Sequence, residues 1–198
     1  MNRLLLILAV FVSGCITSPE PPATPPEYTE PPAVATDNAI RIVVSTDVPM
    51  GLDELRDFLI ANPLIEFFES TPSIAAPDTW TALKGTWLEP GASRRLKLAD
   101  GHYVIERVLD NEPDRFRYQV WTFTNAAGKG IEQIIGEQRF FVLGDRLTRF
   151  EWTYNIKPKS PFAAFFVRRR ESELKTYLQS ATTAMRDAAT VASGINGG

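Results

Sequence analysis

Residues 140–166 read FFVLGDRLTRFEWTYNIKPKSPFAAFF, and their pattern decides the fold class. Phe150, Trp152 and Tyr154 recur at period two, which puts them on one face of a strand from Arg146 to Lys157. Gly144-Asp145 supplies a tight turn back to a preceding strand, Ile131 to Leu143. Directly afterwards, Ser160 can cap a helix and Pro161 fits its first turn. One long helix is expected from there, with Gly194 able to stop it. Its apolar face is read as Phe162, Phe165, Phe166, Leu174, Tyr177, Leu178, Ala181, Met185, Ala188 and Ala189. A hairpin with one face to bury thus feeds the helix that can cover it.

Upstream, Ile40 to Thr46 is a β-branched strand. Leu52, Leu55, Phe58 and Leu59 then mark an amphipathic helix over Leu52 to Ala61. Pro63 breaks it, and Leu64 to Glu69 reads as a second short helix. Further strands follow over Thr79 to Glu89, Ser93 to Ala99, Tyr103 to Leu109 and Arg115 to Thr124, joined by short Gly-, Asn- and Asp-rich turns. The order is β-αα-β6-α, an α+β arrangement with a curved antiparallel sheet under a C-terminal helix.

The N-terminus is of another kind. Arg3 precedes an unbroken apolar run from Leu4 to Val12, too short to span a bilayer at the roughly 20 residues needed but of signal-peptide dimensions. Val12-Ser13-Gly14-Cys15 follows and resembles a bacterial lipobox. The resemblance implies removal of residues 1–14, lipidation of Cys15 and a place in the cell envelope. Outer-membrane or periplasm-facing sorting is expected, because Ile16 stands where aspartate is the familiar inner-membrane signal. Acyl chains at ~0.8 kcal/mol per buried methylene would hold the protein at a membrane. Residues 16–37 hold seven of the fifteen prolines and no Lys or Arg. They are expected to form a polyproline II spacer. Residues 38–198 are then the folded domain.

The formal charge of -3 and pI near 5.3 argue against nucleic-acid binding. The total is uneven: the tether carries four acidic residues, whereas the domain carries 20 basic and 20 acidic ones. One cysteine and one histidine leave no intrachain disulfide and no ordinary zinc set. No P-loop, dinucleotide glycine signature, calcium loop or G-x-S-x-G occurs, so no metal, cofactor or catalytic residue is assigned.

The opening strand IRIVVSTDVP (40–49), the segment WTALKGTWLEPGASRRLKLADGHYVIERVLDNEPDRFRYQVW (80–121) and FFVLGDRLTRFEWTYNIKPK (140–159) together resemble the START-like (SRPBCC) superfamily, in its polyketide cyclase/dehydrase and lipid-transport group. The short pieces W-x-x-x-G-A-x-R, A-D-G-H, E-x-V-x-x-x-x-P and R-F-x-Y are each degenerate, and the order of elements carries the likeness. The resemblance implies a helix-grip fold with a cavity between sheet and terminal helix, holding a hydrophobic small molecule or lipid. The GT dipeptide common before the last strand is absent, with Gly144-Asp145-Arg146 in its place.

On that frame, alternation puts Glu106 on the face of Val104 and Val108. It could pair with an inward Arg139, orient a ligand, act as an acid or base, or form a structural ion pair. A bulge would reverse its face. Tyr118 with Phe116, the series Phe150, Trp152 and Tyr154, and Trp87 with Trp80 are candidates for core packing or cavity walls. Trp121 falls opposite Tyr118 and is read as exposed, and His102, after the Asp100-Gly101 turn, as a solvated surface residue. Arg168 to Arg170 is read as a solvated face. A monomeric, membrane-tethered carrier is the leading expectation. A cyclase- or hydrolase-type enzyme and an interaction module with a filled core are the alternatives.

Overall fold

The computed structural model describes residues 19–194; the signal segment and Cys15 lie outside the described residues. Seven strands form one antiparallel sheet: β1 (Ile40–Val48), β2 (Pro77–Lys84), β3 (Ser93–Leu98), β4 (Tyr103–Glu112), β5 (Arg115–Trp121), β6 (Ile131–Gly144) and β7 (Leu147–Pro158). Their spatial order is β1-β7-β6-β5-β4-β3-β2, so β2 to β7 is a continuous meander and β1 closes on the last strand. Helix α1 (Leu52–Ala61) and a 3-10 turn (Leu64–Phe67) follow β1, and α2 (Pro161–Arg169) and α3 (Glu171–Ala192) follow β7. The expected order holds, with the second short helix reduced to a 3-10 turn.

Register sets the inner face. Phe140 opposes Phe150, Gln138 opposes Trp152, and Gly136 stands between Tyr154 and Tyr118. Glu106 opposes both Val120 and Arg94. The bulge in β4 falls after Val108, beyond Glu106, and leaves its face unchanged. The inner residues bury against Leu55, Leu178, Met185 and Ala189 to form the core. At Gly136 a Cβ would lie 2.3 Å from the Tyr118 ring, so the missing side chain lets that ring lie across β6. Gly136→Ala is therefore expected to cost about 1–3 kcal/mol by overpacking and to displace Tyr118. Urea denaturation, with the tyrosine signals followed by NMR, measures both effects.

The terminal helix is two helices. Ser160 caps α2 as expected, its side chain accepting from the Ala163 amide, but the helix ends at Arg170 (φ -105, ψ 6). No Pro or Gly marks this break. The Arg170 guanidinium turns away to donate to Ser73 O (2.9 Å) and Glu173 Oε2 (3.0 Å). Beyond it α3 packs along β1, burying Leu178, Ala181, Met185 and Ala189. The change of direction leaves Phe162, Phe165 and Phe166 exposed, so these three do not belong to the apolar face assigned to them.

The Pro-rich segment is not a free spacer over its described part. It crosses the outer face of the sheet, where buried and half-buried side chains hold its carbonyls. His102 Nε2 meets Pro19 O, Arg95 Nη1 donates to Pro26 O, Trp121 Nε1 to Thr29 O, Gln119 Nε2 to Pro32 O and Gln133 Nε2 to Ala33 O, at 2.8 to 3.2 Å. Pro26, Thr29 and Pro32 are three residues apart, the repeat at which a polyproline II helix presents successive carbonyls in one direction. Beneath the strap Ile105, Ile135 and Trp121 are buried. Trp121 does lie opposite Tyr118, but it is covered, with Tyr28 edge-on at 6.0 Å. His102 is likewise buried, its Nδ1 3.0 Å from Thr124 Oγ1. A free spacer would leave both at the surface; the docked strap covers them.

Candidate ligand-binding pocket

A half-enclosed cavity of about 140 Å³ opens between the inner face of β3 to β7 and the segment from α1 to Phe68. Tyr118, Trp152 and Tyr154 form its aromatic wall, Leu59, Ile60 and Leu64 its helical side, and Trp87 and Leu88 the opposite lip. Helix α3 contributes no lining residue. It serves the cavity through Tyr177, which stacks on the lining residue Phe68 at 4.7 Å. The expected space between sheet and terminal helix is thus between sheet and α1.

Polar chemistry concentrates at two points. The first is the ion pair of Arg94 with Glu106, facing each other across β3 and β4 with side chains 6% and 5% exposed. Arg94 donates through Nε to Glu106 Oε1, and its guanidinium carbon lies 3.6 Å from the centre of the Trp87 ring. The aromatic face offsets part of the cost of burying that charge. Arg94 Nη1 and Nη2 have no hydrogen-bond partner among the described residues. The second point is a chain in which Trp152 Nε1 donates to Tyr118 Oη (3.0 Å) and Tyr118 Oη donates to Tyr154 Oη (3.2 Å).

Burial pushes both phenols up, and for Tyr118 the neighbouring Tyr154 and Glu106 add to the effect. A folded-state value above the unfolded one, near 10, means the native state keeps protons that the unfolded chain has lost. Their stabilisation is complete below about pH 10 and declines as pH rises above it. Denaturation midpoints are expected to fall above pH 10, and less steeply in Tyr118→Phe.

Of the residues singled out from sequence, Trp87, Glu106, Tyr118, Trp152 and Tyr154 line the cavity. Phe150 does not; it is fully buried behind the wall, packed on Phe140 and Trp152. Arg139 is on the wrong side for pairing with Glu106. Its side chain is 47% exposed and its Nε donates to Glu137 Oε1. The inner residues of β6 are Gly136, Gln138 and Phe140, which leaves Arg139 outside. The partner of Glu106 is Arg94, and alternation carried the signal for it, because Arg94 shares a face with Leu96 and Leu98. At the mouth, Arg56 Nη2 donates to Asn111 Oδ1 at 2.6 Å, a contact with no local sequence signal.

Solved structures of similar shape share this architecture. TTHA0849 from Thermus thermophilus superimposes with a TM-score of 0.57 at 10% identity, over 78% of this chain and 99% of that one. Ara h 8.0201 gives 0.55 at 12% identity, over 78% and 99%. The chain has the helix-grip fold. DynU16, a protein of the dynemicin biosynthetic locus, gives 0.52 at 16% identity, over 78% of this chain and 48% of its own. No protein-family model matches the sequence, nor does any curated protein. At such identities the helix-grip likeness speaks for the fold alone.

Proposed function

We propose that this chain is a bacterial lipoprotein, lipidated at Cys15, whose helix-grip domain holds a hydrophobic small molecule or part of a lipid in the pocket. The supporting observation is a half-open, mainly apolar cavity whose inner wall presents unpartnered guanidinium N–H groups of a buried arginine. Apolar lining with few convergent polar groups is the general form of a small-molecule site. Burial of apolar surface, at roughly 25 cal/mol per Å², drives binding, and Arg94 orients a ligand oxygen.

Size sharpens the ligand class. Cavities that enclose drug-sized ligands run to about 300–1,000 Å³, whereas one of about 150 Å³ takes a benzene-sized molecule. At 140 Å³ the pocket fits one ring or the end of an acyl chain, with the remainder of a longer ligand left outside its half-open side. The bound end carries an acceptor oxygen for Arg94.

Native mass spectrometry and solvent extraction of protein purified from its host test the reading, together with titration by a fluorescent fatty acid. One ligand per chain is expected, with binding lost in Leu59→Trp, which fills the space from α1. A protein that yields no extractable ligand and binds no probe would sink the carrier reading. For the anchor, Cys15→Ser is expected to move the protein from membranes to the soluble fraction.

A further inference from the structure

We propose that the α2 face made by Phe162, Phe165 and Phe166, flanked by Arg168 and Arg169, docks on an anionic bilayer surface. The proposal takes its orientation from the tethered reading above. The three rings are 74%, 54% and 51% exposed, and they touch one another rather than the core, with Phe162–Phe166 centroids at 4.9 Å and Phe165–Phe166 at 5.5 Å. Val167 alone in this helix is buried. Exposed apolar residues scattered singly need no explanation, but three in contact on one short helix form a patch. The adjoining charge is positive. Arg168 and Arg169 are exposed and make no ion pair among the described residues, whereas Arg170 is taken by Glu173. Arg169 stands over the Phe165 ring at 5.6 Å. Aromatic residues with arginines at their edge are the composition of a segment lying in a membrane interface.

The strap independently selects this end of the domain. Pro19 is pinned at His102, in the β3–β4 turn, and the loop after β5 joins that turn to α2. Within it Thr124 Oγ1 meets His102 Nδ1, and Gly130 O accepts from the Lys159 amide beside Ala163. The chain therefore leaves the domain at the α2 end. Only Ile16 to Ser18 separate Cys15 from Pro19, a reach of at most about 14 Å between Cα atoms. A free spacer from Cys15 to Asp37 would reach about 70 Å at ~3.1 Å per residue. The docked strap shortens the leash until the α2 end must face the lipid. A second exposed patch, at Phe141, Val142 and Leu143, lies at the far end of β6, up to about 36 Å away at ~3.3 Å per residue. The leash leaves that patch facing away from the membrane.

The test uses the chain from residue 15 onward carrying Cys15→Ser, which has no acyl group, and vesicles of phosphatidylcholine with or without phosphatidylglycerol. Co-sedimentation is expected with the phosphatidylglycerol vesicles and not with phosphatidylcholine alone. Phe162→Ser with Phe166→Ser should lower that partition at least tenfold. Arg168→Gln with Arg169→Gln should remove the preference for anionic lipid, and Phe141→Ser with Val142→Ser should change nothing. The proposal fails if the unsubstituted chain binds no anionic vesicles, or if the paired phenylalanine change leaves binding intact. It fails equally if the patch proves to be a contact between two copies, seen as a dimer that the same change dissolves while vesicle binding is absent. Mass analysis of Cys15 in the native host decides the lipoprotein reading separately, whichever way the vesicle result falls.

Discussion

Arg94→Ala is expected to lower stability by about 3–5 kcal/mol, the range for removing one member of a buried ion pair. The variant leaves the Glu106 carboxylate between Val104 and Val108, with its only ionic partner among the described residues gone. It also strips the cation from the face of Trp87 and enlarges the pocket. Urea denaturation measures the loss, and a cost below about 1 kcal/mol would mean that water screens the pair. Arg94→Met with Glu106→Met is expected to recover most of the stability, because a buried pair is often matched by apolar residues of similar volume. Ligand binding separates the two roles of the pair. If Arg94 orients the ligand oxygen, affinity stays low in the double variant although the fold is restored. Recovery of binding with stability would make the pair purely structural.

The parts of the site legible in the sequence are those governed by local periodicity. Alternation puts Trp152 and Tyr154 on one face, and Glu106 with Val104 and Val108, and the only bulge in β4 falls where it cannot disturb them. Arg94 obeys the same rule but is easily passed over, since a run of two arginines reads as solvated until its neighbours Leu96 and Leu98 are weighed. Arg139 misleads because IEQIIGEQRFFVLG, the whole of β6, alternates poorly; only pairing with β5 and β7 reveals its inner positions. The break at Arg170 is not legible for a different reason. No residue there opposes helix, and the turn is set by Ser73, about a hundred positions earlier in the chain.

The strap shows a subtler limit. Its composition correctly predicts a segment without helix or strand and without a core of its own. Composition says nothing about whether another surface will hold it. That surface is encoded by Gln119 and Gln133, which in a strand look like ordinary solvent-facing positions, yet both are fully buried. The two also bond each other, Gln119 Nε2 to Gln133 Oε1 at 2.6 Å. A buried amide that keeps further donors needs acceptors, and the strap carbonyls are those acceptors.

Trp121→Ala carries this to measurement. With a free spacer, Trp121 would be a surface residue, and its truncation would change stability by no more than about 0.5 kcal/mol. With the strap docked it is 3% exposed, edge-on to Tyr28, with Nε1 shared between Thr29 O and Oγ1. The expected loss is therefore about 3–5 kcal/mol, as for other buried aromatic-to-alanine changes. The same variant should loosen the strap itself, so limited proteolysis near Tyr28 is expected to quicken well before the domain unfolds. Thr29→Cys with Thr122→Cys tests the converse in a chain carrying Cys15→Ser. The native hydroxyls stand 3.0 Å apart, so oxidation should close a strap-to-sheet disulfide and suppress that cleavage. Rapid cleavage near Tyr28 in the unsubstituted protein, with no stability cost for Trp121→Ala, would return the segment to a spacer and lengthen the leash to its full reach.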